Sequence, residues 1–123
     1  MKISVCMIAR NEEAIIGTAI ASTEGLADEV LVLDTGSDDD TIEEACKAGA
    51  RVLTGGDRMN KSEVRNQACS AAEGDWMVIL DCDEKIADPV GLRKFLETTD
   101  AKAVYCRQVY MTNDKPTLEL TRM

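Results

Sequence analysis

The stretch Trp76-Met77-Val78-Ile79-Leu80-Asp81-Cys82-Asp83-Glu84 decides the fold. Five apolar residues make the strongest strand of the chain, and it ends abruptly in two carboxylates separated by one residue. Those acids fall on a turn rather than inside an element. Hard oxygen donors on a turn suit Mg²⁺ or Mn²⁺ and leave positions open for phosphate oxygens and water. An acidic strand-to-helix loop is the plainer reading of the same residues.

Working back from this strand, Ile3 to Ile8 is a continuous apolar run broken only by Ser4, the pattern of a strand buried on both faces. Asn11 is placed to cap a helix that carries Ile15, Ile16, Ala19 and Ile20 as one apolar stripe. Val30 to Leu33 reads as a second strand. Thr41 and Glu44 then have capping-box spacing, opening a second helix with Ile42, Ala45 and Cys46 on one side and Gly49 at its end. Arg51 to Thr54 is a short third strand, and a third helix runs from Ser62 until Gly74 ends it. Working forward, Asp88 and Pro89 read as the N-cap and first position of a helix with Leu92, Phe95 and Leu96 toward the core. Ala103 to Tyr110 is a fifth strand and Leu118 to Leu120 a short sixth.

Strands alternating with helices predict an α/β fold, a mostly parallel, doubly wound sheet in a single domain over residues 1–123. With strand order 3-2-1-4 and helices on both faces, ligands sit beyond the carboxyl ends of strands 1 and 4, where the order reverses. Ala9-Arg10-Asn11-Glu12 and Asp81-Cys82-Asp83-Glu84 leave those ends, with Asp34 leaving strand 2 beside them. The polar residues collect where a site belongs.

Composition narrows the function. The chain has 123 residues, 45% of them apolar, enough for one modest core. A net charge of −9 argues against nucleic acid and against an anionic membrane surface, since both need a basic face. An acidic protein still binds an anion when a cation sits between them. There is no histidine, and the five cysteines (Cys6, Cys46, Cys69, Cys82 and Cys106) form no CxxC pair, which argues against zinc. Reduced thiols, no apolar run of membrane-spanning length and no leader-like segment point to a cytoplasmic protein.

Asp34-Thr35-Gly36-Ser37 follows four apolar residues, so the Asp34 carboxylate stands at the rim of a buried sheet, able to accept from a ligand N–H. Gly36 lets the chain turn with positive φ. Asp38, Asp39 and Asp40 read as helix capping and solvation. Lys61 and Arg65 lie four apart near a helix start and, with Arg10, supply cations for a diphosphate. For Lys61 a solvated helix face is the favoured reading. Cys82 reads as a small spacer, with no base beside it to make it a nucleophile.

Taken in order, the strand with Asn-Glu-Glu, the strand with Asp-Thr-Gly-Ser, Arg65-Asn66-Gln67-Ala68, and Glu73-Gly74-Asp75-Trp76 leading to Asp81-Cys82-Asp83-Glu84 form a far more specific pattern. It resembles the family 2 glycosyltransferases, nearest to the branch beginning CMIARNEE and carrying DTGS and a DxDE turn. The resemblance spans Ile3 to about Ile86. It implies the GT-A fold and inverting transfer from a nucleotide-diphosphate sugar, typically a UDP-sugar, with Mn²⁺ or Mg²⁺. Carried over by motif, Asp34 would contact the base, Asp81 the ribose and base, and Asp83 the metal, with Asp81 beside it. Arg65 would lie near the diphosphate, and Ala9, Arg10, Asn11 and Glu12 would wall the base and ribose. Arg10 stands where the family often has an aromatic residue.

The family's catalytic base is an acid on a later segment. Forty residues follow Asp83, and toward their end Asp114 and Glu119 are the candidate acids. The acceptor is unassigned, and most of its side is expected from a longer chain, a partner chain or a second copy. The competing reading is a donor-binding module, or slow donor hydrolase, that lacks its acceptor half. A nucleotidyltransferase would carry a Gly-rich loop after strand 1, which Ala9 to Glu13 lacks. A receiver domain would carry a Lys on strand 5, where Arg107 stands instead.

Overall fold

The central strand β1 (Ile3–Ala9) is buried on both faces and anchors a four-stranded parallel sheet in the order β3-β2-β1-β4. A computed structural model describes residues 1–55, 60–106 and 120–122, with residues 61, 105, 106 and 120–122 described by backbone alone. The flanking strands are β2 (Glu29–Asp34), β3 (Arg51–Thr54) and β4 (Trp76–Ile79). Helices α1 (Ile16–Ala21), α2 (Thr41–Lys47), α3 (Lys61–Ala71) and α4 (Pro89–Thr98) alternate with them, as the apolar pattern predicts. A separate antiparallel pair, β5 (Val104–Cys106) and β6 (Leu120–Arg122), follows α4. The rest of the expected fifth and sixth strands, together with Asp114 and Glu119, lies outside the described residues.

Alternation along β1 builds two cores. Ile3, Val5, Met7 and Ala9 pack with Ile16, Ala19 and Ile20 of α1, Ala45 of α2, and Leu92 and Leu96 of α4. Cys6 joins Leu31 and Leu33 of β2 against Val64 and Ala68 of α3 on the other face. Burial of branched apolar side chains at roughly 25 cal/mol per Å² is the main force closing both layers. No helix among the described residues is long and apolar enough to cross a membrane.

The structure adds local detail to these expectations and corrects some of them. β4 is covered on one face only: Trp76 and Val78 pack on the larger core, while Met77 and Ile79 are exposed. Helix α3 packs chiefly over β1 and β2 and leaves these two β4 side chains largely uncovered. On α2 the buried side chains are Thr41 and Ala45, whereas Ile42 and Cys46 face solvent. Helix α3 starts at Lys61 and is capped by Asn60, whose side chain accepts the Glu63 N–H at 2.9 Å. Asp88 and Pro89 open α4 as predicted, with Asp88 accepting from Gly91 N–H at 2.9 Å.

Candidate functional site

The parallel register sets the site. Ala9 is paired with Asp34, so the carboxyl ends of β1 and β2 finish side by side, and β4 delivers Asp81 to the other flank of β1. Leu80 N–H still bonds the Cys6 carbonyl at 3.1 Å, and the chain leaves the sheet only after it.

Asp34 is 3% exposed, and its carboxylate accepts from its own turn. Gly36 N–H (3.1 Å) and Ser37 N–H (3.0 Å) reach Oδ2, and the Ser37 hydroxyl donates to Oδ1. Gly36 sits at φ +117, a left-handed value that only glycine adopts without strain, and this folds the turn back onto the carboxylate.

Asn11 does not cap α1. The helix starts later, behind an Ile15 that makes no side-chain cap bond, and Asn11 stands at φ 53 instead. There its N–H donates to Ser37 Oγ at 2.9 Å and its side-chain oxygen accepts Asp38 N–H at 2.8 Å. Glu12 N–H donates to Thr41 Oγ1 at 2.8 Å, and the Thr41 hydroxyl donates to Asp39. The capping box is therefore absent: the Asp40 side chain makes no cap bond, and Asp39 accepts Thr41 N–H at 3.0 Å. These bonds join the β1–α1 and β2–α2 loops into one wall. Ser37 and Thr41 are the residues a sequence reading misses as loop-joining groups. Both hydroxyls look like ordinary turn and cap residues until β1 and β2 are side by side.

Across β1, Asp81 and Asp83 are exposed on a turn and Cys82 between them is buried. The Cys82 thiol donates to the Ile8 carbonyl at 3.3 Å, tying the turn to β1. Burial pushes this thiol up to about 12, helped by the negative charges of Glu12, Asp81 and Asp83. Cys82 is a spacer that also anchors, and at that value it is no nucleophile. Glu84 accepts Asp81 N–H at 2.8 Å, and burial raises its carboxyl above the usual range. Arg65 and Asp81 line one small cleft with Ile8, Ala68 and Ile79, so the predicted cation and the predicted acid share it. Arg10 is exposed at the start of the β1–α1 loop, and the Lys61 side chain lies outside the description.

The donor set fits a hard divalent cation that shares its coordination. Among the described residues no three His, Cys, Asp or Glu side chains are grouped to hold a metal unaided. Two solvent-facing carboxylates suit Mg²⁺ or Mn²⁺, which commonly take one or two protein carboxylates and complete their shells with phosphate and water.

Residues 4–122 match the family model described as Glycosyl transferase family 2. The chain belongs to that family. The family 2 chain is 44% identical over 85 residues to a TPR repeat-containing protein of Synechococcus elongatus, covering 69% of this chain and 21% of that one. It is 40% identical over 92 residues to glucosyl-3-phosphoglycerate synthase of Mycobacterium tuberculosis, covering 66% and 28%. A crystal structure of that synthase, in complex with Mn²⁺, UDP and glucosyl-3-phosphoglycerate, superposes with a TM-score of 0.69 at 33% identity, covering 84% of this chain and 42% of the synthase. Another crystal structure of the same enzyme holds Mg²⁺ with UDP. The four-stranded 3-2-1-4 sheet is thus the GT-A arrangement expected. The family 2 chain spans less than half the length of these relatives.

Proposed function

We propose that the crevice at the carboxyl ends of β1, β2 and β4 binds a nucleotide-diphosphate sugar, a UDP-sugar, as the donor side of an inverting glycosyltransferase. One observation carries the reading: on a family 2 fold, Asp34 and the Asp81–Asp83 turn flank the end of β1, with Arg65 and Asp81 in one cleft. Asp34 would accept from the base, Asp81 would lie against the ribose, and Ala9 to Glu12 would wall both. Asp83, with Asp81, would hold Mn²⁺ or Mg²⁺. A divalent cation bound there neutralises the diphosphate and stabilises it as leaving group. Arg65 would add fixed positive charge in that cleft, and Lys61, four residues earlier on α3, is the second candidate cation.

The acceptor and the catalytic base stay unassigned, with Asp114 and Glu119 as candidates. Calorimetry of UDP binding in Mn²⁺ and in EDTA tests the donor site. Affinity should require the metal and largely vanish in Asp83→Ala with the fold retained, and equal binding in EDTA overturns the reading. The second reading is a module that only hydrolyses its donor. Turnover of a labelled UDP-sugar separates the two. Fast, acceptor-dependent transfer lost in Asp114→Ala or Glu119→Ala rejects the module. Slow release of free sugar without any acceptor supports it.

A further inference from the structure

We propose that Ser37 is a positioning residue for base recognition: its hydroxyl holds Asp34 as a single-site acceptor, favouring a nucleobase that offers one N–H over one that offers two. This rests on the donor-site reading above and assigns the residue that sets its selectivity.

A carboxylate has about four lone-pair sites. On Asp34, Gly36 N–H and Ser37 N–H occupy Oδ2, and the Ser37 hydroxyl occupies one site of Oδ1. Among the described residues no other donor reaches Oδ1, which leaves a single site there. The Ser37 hydroxyl has one proton, and its orientation is constrained, because Oγ accepts the Asn11 N–H at 2.9 Å. Its proton therefore goes to Asp34. Asn11 is itself held in the left-handed region by the Asp38 N–H on its side-chain oxygen. An unbroken path of hydrogen bonds thus runs from the β1–α1 loop to the carboxylate.

Uracil presents one N–H between two carbonyl oxygens. Guanine presents two adjacent donors, N1–H and the 2-amino group, which need two free acceptor sites at once. With Oδ2 filled and Oδ1 half filled, Asp34 serves the first edge and not the second. Without the Ser37 hydroxyl a second site on Oδ1 opens, and the carboxylate is free to pivot on the two backbone donors that remain.

The test is calorimetric titration of UDP and of GDP at saturating Mn²⁺ on the whole chain, its Ser37→Ala variant and its Ser37→Thr variant. The unsubstituted chain should prefer UDP. Ser37→Ala should lose roughly tenfold of that preference, the worth of about one hydrogen bond to a charged group, and Ser37→Thr should restore it. Should Ser37→Ala fail to fold, Ser37→Cys replaces it, because a thiol is a weaker donor and the preference must fall with it. An unchanged UDP-to-GDP ratio in the folded variant, even with both affinities lowered alike, overturns the inference. So does an unsubstituted chain that binds both nucleotides equally, which leaves the donor site standing. A chain that binds neither nucleotide overturns the donor site as well.

Discussion

Glu84 accepts the Asp81 amide proton on Oε1 at 2.8 Å, and its own N–H returns to the Asp81 carbonyl oxygen at 2.9 Å. The reciprocal pair closes the Asp81-Cys82-Asp83 turn from within and presents both acids outward. Glu84→Ala should weaken Mn²⁺-dependent UDP binding about fivefold, the scale of one net hydrogen bond. Glu84→Gln keeps an accepting oxygen and should retain most of the affinity. Titration of both variants checks this, and full affinity in Glu84→Ala would mean that the turn is held without the side chain.

Asp34→Asn should do more than weaken base binding. Both carboxylate oxygens already accept hydrogen bonds from the turn, so a carboxamide places an NH₂ against at least one of those donors. The expected cost in stability is about 1–3 kcal/mol, visible as a lower Tm alongside lost UDP affinity. An unshifted Tm would show that the turn tolerates the amide.

Acid should destabilise the chain partly through Glu29. Its carboxyl lies below the usual 4.5 because it accepts from the Ser4 hydroxyl at 2.6 Å and from Glu73 N–H, with Lys2 and Arg51 nearby. A lowered folded-state value means the stabilisation is present above the ordinary glutamate value and is lost as pH falls through the folded one. Melting followed from pH 6 to pH 3 should show a smaller acid-induced drop in Glu29→Gln than in the unsubstituted chain. Equal drops would assign the acid sensitivity to other carboxylates.

Gly74 sets how closely the chain approaches β1 before entering β4. A Cβ added there would lie 2.5 Å from Ser4 Oγ and 2.7 Å from the Ser4 backbone nitrogen, and the backbone atom cannot swing aside. Gly74→Ala should therefore cost about 1–3 kcal/mol in thermal or denaturant melting. A neutral result would require β1 and β4 to separate without penalty.

The sequence by itself determined the sheet and the address of the site. Continuous apolar runs at Ile3–Ile8 and Trp76–Leu80 are local signals, and the rule placing ligands at a reversal of strand order turned them into a location. Asp34, Asp81, Asp83 and Arg65 are the candidates this rule supplies, because each follows directly from strand ends or helix spacing. The hydrogen-bond partners of Asn11, Ser37 and Thr41 were not legible. A polar side chain near a helix start has several partners of similar worth, and chain order makes the nearest helix the natural one. Their actual partners lie 26 to 29 residues away and come within reach only once Ala9 is paired with Asp34. The coverage of β4 was equally a tertiary matter. An apolar run reports that a strand belongs in a sheet, but whether Met77 and Ile79 are covered depends on how far α3 extends across it.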